Sequence, residues 1–320
     1  MTVNIGNVPD HAARPEIGLL LWNTCNARCK HCLPSAGPKD RSSLSDEVIF
    51  STIDQAAEEF AGAWGLGLSG GEPFLYQDRL LRIVKHARSR NASTGIVSNG
   101  FWATSEAKAA EILTRFAEAG AVSFSFSLST YHFEHVSPER VANALNAAHR
   151  LGLKADVKVV VSKESRLRYV LGGIRRAEPW KGHFPIQPFA LLPMGRAGTL
   201  LASHAEPSEN WPSGSCPSPL LTIDSNGRTG PCCNGATEVD GLSFGNVNDT
   251  PFQTIWHRYK HSKTLNRLCT TGSEAWLDQL PPEEATAFRN RKWVNICHLC
   301  VAIMERKNAH RPQSTMIEQN

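Results

Sequence analysis

Gly18-Leu19-Leu20-Leu21-Trp22-Asn23-Thr24-Cys25-Asn26-Ala27-Arg28-Cys29-Lys30-His31-Cys32-Leu33 is the stretch on which the reading of this chain turns. Residues 18–22 read as a buried strand that runs into a loop with three cysteines in C-x3-C-x2-C spacing. The next cysteine is Cys216. A cubane iron–sulfur cluster takes four thiolates, so three local thiolates leave one iron open for a substrate or cofactor. A zinc knuckle closes its shell with a fourth Cys or His, and His31, inside the run, is awkwardly placed for that. The bacterial ferredoxin run is spaced differently. The spacing points to a reactive cluster rather than a structural staple.

Outward from this loop, short apolar runs alternate with amphipathic ones. Strands are expected at 65–69, 94–98, 122–128, 156–161 and 186–192. Helices are expected over 45–60, with Ser45 as N-cap, and over 78–89, 104–119, 138–151 and 164–177. Repeated βα steps with short apolar strands predict the α/β class, a parallel sheet covered by helices. If the sheet curls into a barrel, the chemistry gathers at the C-terminal ends of its strands. The cysteine loop follows the first strand, Gly70-Gly71-Glu72-Pro73 the second and Ser98-Asn99-Gly100 the third.

The chain has 320 residues, 41% hydrophobic and 20% charged, enough for one large core and a smaller second unit. Its net charge of +4 is scattered, without the basic stripe of a nucleic-acid binder. No run approaches the roughly 18 apolar residues of a membrane span. The first ten residues show neither a basic nor an apolar segment of a secretory signal. Nine cysteines in such a chain fit metal-bound thiolates in a reducing cytoplasm better than disulfides.

Residues 1–15 read as an N-terminal extension and 16–195 as the core. The Gly-, Pro- and Ser-rich stretch 196–215 reads as a linker, and 216–320 as a cysteine-rich second unit. In that unit Cys216 and Cys232 flank an apolar run and an Asp224-Ser225-Asn226-Gly227 turn, the pattern of a hairpin. Cys297 and Cys300 form a C-x2-C bite. Two plus two makes a closed four-thiolate shell, which suits a zinc ribbon or an iron–sulfur cluster; a reactive cluster nearby tilts the choice to iron. Cys269 ends a helical run from about residue 252 and reads as a packed thiol. Cys233, beside a cluster ligand, is a candidate catalytic thiol.

The cysteine triplet followed one βα unit later by Gly70-Gly71-Glu72-Pro73 resembles the radical S-adenosylmethionine (radical SAM) superfamily over residues 16–195. The resemblance implies a partial (β/α)6 TIM-like barrel in which Cys25, Cys29 and Cys32 hold a [4Fe–4S] cluster. SAM chelates the fourth iron, and its reductive cleavage gives a 5′-deoxyadenosyl radical that abstracts hydrogen from an unactivated carbon. Ser69, Gly70, Gly71 and Glu72 match positions that meet the SAM amino group, and His31 one that contacts adenine. Ser98 and Asn99 match a segment near SAM, and Ser127 a ribose or carboxylate contact. His132 and His135, after the fourth strand, read as substrate contacts or as solvated histidines. The C-terminal part resembles the SPASM/twitch extensions, through Gly227-x4-Cys232, Ser243-Phe244-Gly245-Asn246-Val247, Ile255-Trp256 and Cys297-His298-Leu299-Cys300. With fewer cysteines than a full SPASM domain, it looks like the shortened twitch form: one auxiliary [4Fe–4S] cluster on Cys216, Cys232, Cys297 and Cys300.

The resemblance implies a tailoring enzyme acting on a C–H bond of a peptide, or of a sugar or aminocyclitol, with a flavodoxin or ferredoxin as electron donor. Cys233 as hydrogen donor favours epimerisation. The auxiliary cluster as electron acceptor gives dehydrogenation or cross-linking instead. A reading of another class is an iron–sulfur or zinc scaffold that binds a partner without chemistry.

Overall fold

The computed structural model describes residues 14–177, 184–232, 237, 239 and 241–309. Its frame is one eight-stranded sheet in the order β6-β5-β4-β3-β2-β1-β7-β8. Strands β1 (Glu16–Leu20), β2 (Trp64–Ser69), β3 (Ala92–Ser98), β4 (Ala121–Leu128), β5 (Lys154–Val161) and β6 (Ile186–Ala190) are parallel. Between them run α1 (Asp46–Phe60), α2 (Gln77–Ser89), α3 (Glu106–Ala119), the single turn α4 (Thr130–Phe133), α5 (Pro138–Arg150) and α6 (Leu167–Ala177). Sequential parallel strands joined by helices make the expected (β/α)6 array, open because β1 pairs with β2 and β7 and not with β6. Ser45 and Ser105 cap α1 and α3, each hydroxyl accepting an amide three residues on.

The strands are not apolar on both faces. In β4, Phe124, Phe126 and Leu128 are buried under the helices, while Ser123, Ser125 and Ser127 alternate with them. The same alternation in β2 and β3 puts Gly65, Gly67 and Ser69, and Ser93, Gly95 and Val97, on that second face. Ser69, Val97 and Ser127 line a cavity there, so small residues leave room for a ligand. Opposite them, the main core packs Ile49, Ile53, Ile83, Ile112, Leu113 and Phe116 of the helices against the sheet. Phe74 and Trp102 stack within it at 4.7 Å.

The stretch 196–215 is more than a connector: α7 (Arg196–Leu200) lies in it, and its first residue bonds to the cysteine loop. The 216–232 hairpin forms as read, with β7 (Leu221–Ile223) antiparallel to β8 (Thr229–Gly230). Gly227 takes φ 83 in its turn, and Asp224 Oδ1 accepts the Asn226 amide at 2.8 Å. β7 adds parallel to β1, so the two units share one sheet.

The helical run expected from 252 to 269 is two helices, α8 (Phe252–Lys260) and α9 (Lys263–Thr270). Ser262 breaks it, because its side chain caps the Leu265 amide at 3.1 Å. After α10 (Pro282–Asn290), α11 (Ile296–Ala309) packs Leu299, Ile303 and Met304 with Trp276 and Trp293 in a second core. Among the described residues no helix is long and apolar enough to cross a membrane.

Candidate functional site

The cysteine loop is shaped by backbone bonds. Cys25 N donates to Gly37 O at 3.2 Å, Gly37 N to Asn23 O at 3.2 Å, and Cys32 N to Cys29 O at 3.2 Å. Asn23 Nδ2 and Ser42 N both donate to the Asp40 carboxylate, at 2.7 and 2.9 Å, which fixes the return of the loop. The turn after β2 docks onto this structure: Gly71 N donates to Trp22 O at 2.6 Å and Glu72 N to Thr24 O at 3.0 Å. Gly70 has φ 139, and a Cβ on it would strike the Trp22 carbonyl; one on Gly71 would strike the Thr24 carbonyl. These glycines thus let the turn approach the cysteine loop.

Glu72 is buried and fully engaged. Its Oε1 accepts from Ser98 Oγ at 2.8 Å and Phe74 N at 3.1 Å, and its Oε2 from Asn99 N at 2.8 Å. Burial pushes its carboxyl up to about 7, against the pull of these three donors. Ser98 Oγ accepts from Trp102 Nε1 and Gly100 N. Its own proton therefore serves Glu72. Asn99 Nδ2 donates to Asn26 Oδ1 at 2.9 Å and lies 3.9 Å from Cys25 Sγ. One carboxylate thereby links the ends of β2 and β3 to the cysteine loop.

Burial raises the thiols of Cys25 and Cys29 to about 12 and raises that of Cys32, while the Arg196 charge opposes it at all three. His31 is held neutral, lowered to about 4 by burial and then by Arg196. Its buried Nδ1 has no hydrogen-bond partner among the described residues. Its ring lies 4.6 Å from that of His132 and 5.3 Å from that of Tyr131. His132 is in the cavity wall, bonded through Nδ1 to Ser129 Oγ at 2.8 Å, whereas His135 is exposed.

One cavity of about 590 Å³ takes in Cys25, Cys29 and Cys32, the Ser69–Glu72 turn, Ser98, Asn99 and Ser127. Its far wall holds Cys216, Cys232, Cys297 and Cys300. Every metal-binding and SAM-contacting residue expected from the sequence within the described residues lines it, as does His132, whereas His135 does not; Cys233 lies outside the described residues. The second set is assembled from separate elements. Cys216 N is tied to Leu268 O at 2.7 Å, Cys232 ends the hairpin, and Cys297 and Cys300 lie within the first five residues of α11. Asn295 caps that helix by accepting the His298 amide at 3.1 Å, and a helix N-terminus favours thiolates. Burial comes first, then the nearby Cys232, Cys216 and Cys297, in raising the Cys300 thiol, so Cys300 lies within electrostatic reach of the other three.

Cys269 is buried as expected, but within hydrogen-bonding reach of Cys216 and behind it, not among the cavity-lining residues. Lys158 was not legible as a site residue: on β5 opposite Ser127 in register, it lines the cavity and forms no ion pair among the described residues. The alternation of β5, which turns Lys158 away from buried Val157 and Val159, is the signal that marks it.

Both donor sets fit iron–sulfur clusters. The first offers three thiols, an orphaned imidazole nitrogen and small-residue strand faces beside them; the second offers four thiols on one cavity wall. The comparisons with known proteins agree. Residues 19–165 match the radical SAM superfamily, and residues 215–301 match SPASM, an iron–sulfur cluster-binding domain. The "Putative peptide biosynthesis protein YydG" of Bacillus subtilis (strain 168) is 23% identical over 225 residues, 69% of this chain and 69% of its own length. The structure of native anSMEcpe with bound AdoMet and Kp18Cys peptide superposes with a TM-score of 0.55 at 15% identity, over 89% of this chain and 88% of that one. BtrN in complex with AdoMet and 2-DOIA superposes with a TM-score of 0.50 at 18% identity, over 82% and 89%. These two likenesses are of fold. The chain belongs to the radical SAM superfamily and carries a SPASM/twitch iron–sulfur domain, so its cofactors are a [4Fe–4S] cluster, SAM and an auxiliary cluster.

Proposed function

We propose that this enzyme modifies a C–H bond of a peptide, with both clusters serving one cavity. The observation that carries the reading is the single cavity lined by both cysteine sets. A carbon radical formed at the first site stays within the same enclosure as the auxiliary thiolates. The similarity to a protein named for peptide biosynthesis supports a peptide over a sugar or aminocyclitol.

Cys25, Cys29 and Cys32 ligate the first cluster in this reading, and Cys216, Cys232, Cys297 and Cys300 the auxiliary one. Bound beside the first cluster, SAM supplies a 5′-deoxyadenosyl radical that takes a hydrogen atom from carbon. His31 meets adenine, and Ser69 to Glu72 receive the amino group through backbone atoms. Glu72 acts by holding Ser98 and Asn99 in place, and Ser127 faces the ribose or carboxylate. The product is an epimer if a thiol returns hydrogen to the opposite face. Cys233 is the candidate, since Cys232 before it lines the cavity. The S–H bond breaks, a C–H bond forms, and the thiyl left behind takes one electron and one proton, the electron coming from a flavodoxin- or ferredoxin-type donor.

A second reading, dehydrogenation or cross-linking, draws on the same shared cavity: a cluster held by Cys216, Cys232, Cys297 and Cys300 would supply an acceptor for one electron from the substrate radical, whose proton would go to solvent. Turnover in heavy water separates the two. One deuterium at unchanged hydrogen count supports epimerisation, and a product two hydrogens lighter supports oxidation. Absence of reductive SAM cleavage by the anaerobically reconstituted enzyme would overturn both and leave the scaffold reading.

A further inference from the structure

Arg196, at the start of the Gly- and Pro-rich stretch after β6, reaches back across 167 residues into the cysteine loop. Its Nη1 donates to Cys29 O at 2.7 Å, and its Nη2 donates to Ala36 O at 2.6 Å and to Ser35 O. Its backbone amide donates to Cys32 O at 3.1 Å. Gly195 before it has φ 55, and a Cβ there would strike the Leu33 carbonyl, so this segment lies flat on the loop. The fork grips carbonyls on both sides of Cys32.

The guanidinium is half-buried, and no carboxylate pairs with it among the described residues. A charge taken partly out of water without a counter-charge is costly. Its fork is bonded to the Cys29 carbonyl and its amide to the Cys32 carbonyl, so the charge sits against the loop that carries the three thiols. Three thiolates on a four-iron core are a net anion, and reduction adds one further negative charge. A fixed positive charge therefore stabilises the reduced state more than the oxidised one.

We propose that Arg196 is a positioning residue for the SAM-binding cluster: its fork sets the shape of the ligand loop, and its charge raises the cluster's reduction potential. This rests on the radical SAM reading above. Lysine in its place keeps the charge but loses the planar fork, and glutamine loses the charge.

The test uses the full-length protein reconstituted anaerobically as parent, Arg196→Lys and Arg196→Gln. Iron content is measured, with a potentiometric titration of the EPR signal that changes on adding SAM. Arg196→Gln is expected to shift the midpoint of that signal to more negative potential and leave the auxiliary signal in place. Arg196→Lys is expected to keep a parent-like midpoint at lower cluster occupancy. Full iron and an unchanged SAM-responsive midpoint in Arg196→Gln would overturn the proposal. Should Arg196→Gln take up no SAM-responsive cluster, Arg196→Lys decides: a parent-like midpoint upholds the charge role, and a lowered midpoint or an empty loop overturns it. A parent protein without any SAM-responsive cluster would sink the functional reading instead, which keeps the two failures apart.

Discussion

The three thiols of the N-terminal loop and the four of the C-terminal unit face one cavity, but they are brought there by opposite means. Cys25, Cys29 and Cys32 belong to one loop closed by its own backbone bonds and by the Gly70-Gly71-Glu72 turn docked beside it. Cys216, Cys232, Cys297 and Cys300 come from a hairpin edge and a helix start, held together by the β7–β1 pairing and the Trp276–Trp293 core. A loop with many local bonds tolerates damage elsewhere, whereas a site built from distant pieces depends on every element that carries a piece. In the proposed function the difference also separates roles: the first set starts the radical, and the second governs its fate.

The sharpest way to break this comparison is to remove one thiol from each set. Cys29→Ala is expected to abolish 5′-deoxyadenosine formation and to lower the iron content from about eight to about four per chain. Cys297→Ala is expected to cost a similar share of iron yet leave uncoupled SAM cleavage within a few-fold of the parent, with product lost. Iron assay and chromatographic detection of 5′-deoxyadenosine distinguish them, and equal loss of cleavage in both variants would show that the two sites are not separable.

Next in size is Gly71→Ala. The new methyl meets the Thr24 carbonyl, so the turn is pushed off the ligand loop, at a cost of about 1–3 kcal/mol. The melting temperature should fall and the SAM-responsive cluster should be depleted, while the auxiliary cluster still assembles.

Glu72→Gln probes the link between the β2 turn and β3. An amide has one acceptor oxygen, so its NH2 must face either the Asn99 amide or the Phe74 amide and Ser98 hydroxyl, which costs about 1–3 kcal/mol. The pH dependence has a definite sign. The Glu72 carboxyl rises from its ordinary 4.5 to about 7 in the fold, chiefly through burial. The folded protein binds this proton more tightly than the unfolded chain, so the group favours folding at the acid end. That contribution is lost as pH rises from about 4.5 to about 7. Thermal melts at pH 5.5 and 7.5 should show this slope in the parent and its removal in Glu72→Gln.

The smallest expected effect lies at the seam between the regions. Gln55 Oε1 of α1 accepts the Phe252 amide of α8 at 2.9 Å. Gln55→Ala should cost about 0.5–1.5 kcal/mol and leave both clusters loaded. A loss of auxiliary iron in this variant, by iron assay, would mean the seam matters more to the second site than its hydrogen bonding suggests.

Much of the first site was legible in the chain because its residues are close together and their spacing is itself chemical. The triplet and the Gly70-Gly71-Glu72 turn announce themselves by residue type. What was not legible is what each residue touches. The glycines read as room for a ligand, and in the fold they also make room for the loop. Glu72 reads as a ligand contact, and both its oxygens are engaged by Phe74, Ser98 and Asn99. Lys158 passes as one polar residue in an apolar strand until the pleat turns it into the cavity. Arg196 passes as linker because its partners lie far off in the chain.

The sequence alone determined the six βα steps of the core, the open thiolate triplet and the expectation that a C-x2-C bite pairs with a cysteine-flanked hairpin. These depend on periodicity, capping and spacing, which are local. Only the tertiary structure decided that β7 extends the sheet beside β1, that Arg196 grips the cysteine loop and that both cysteine sets share one cavity. Such contacts join residues far apart in the chain, and burial and backbone hydrogen bonding across the whole sheet select them.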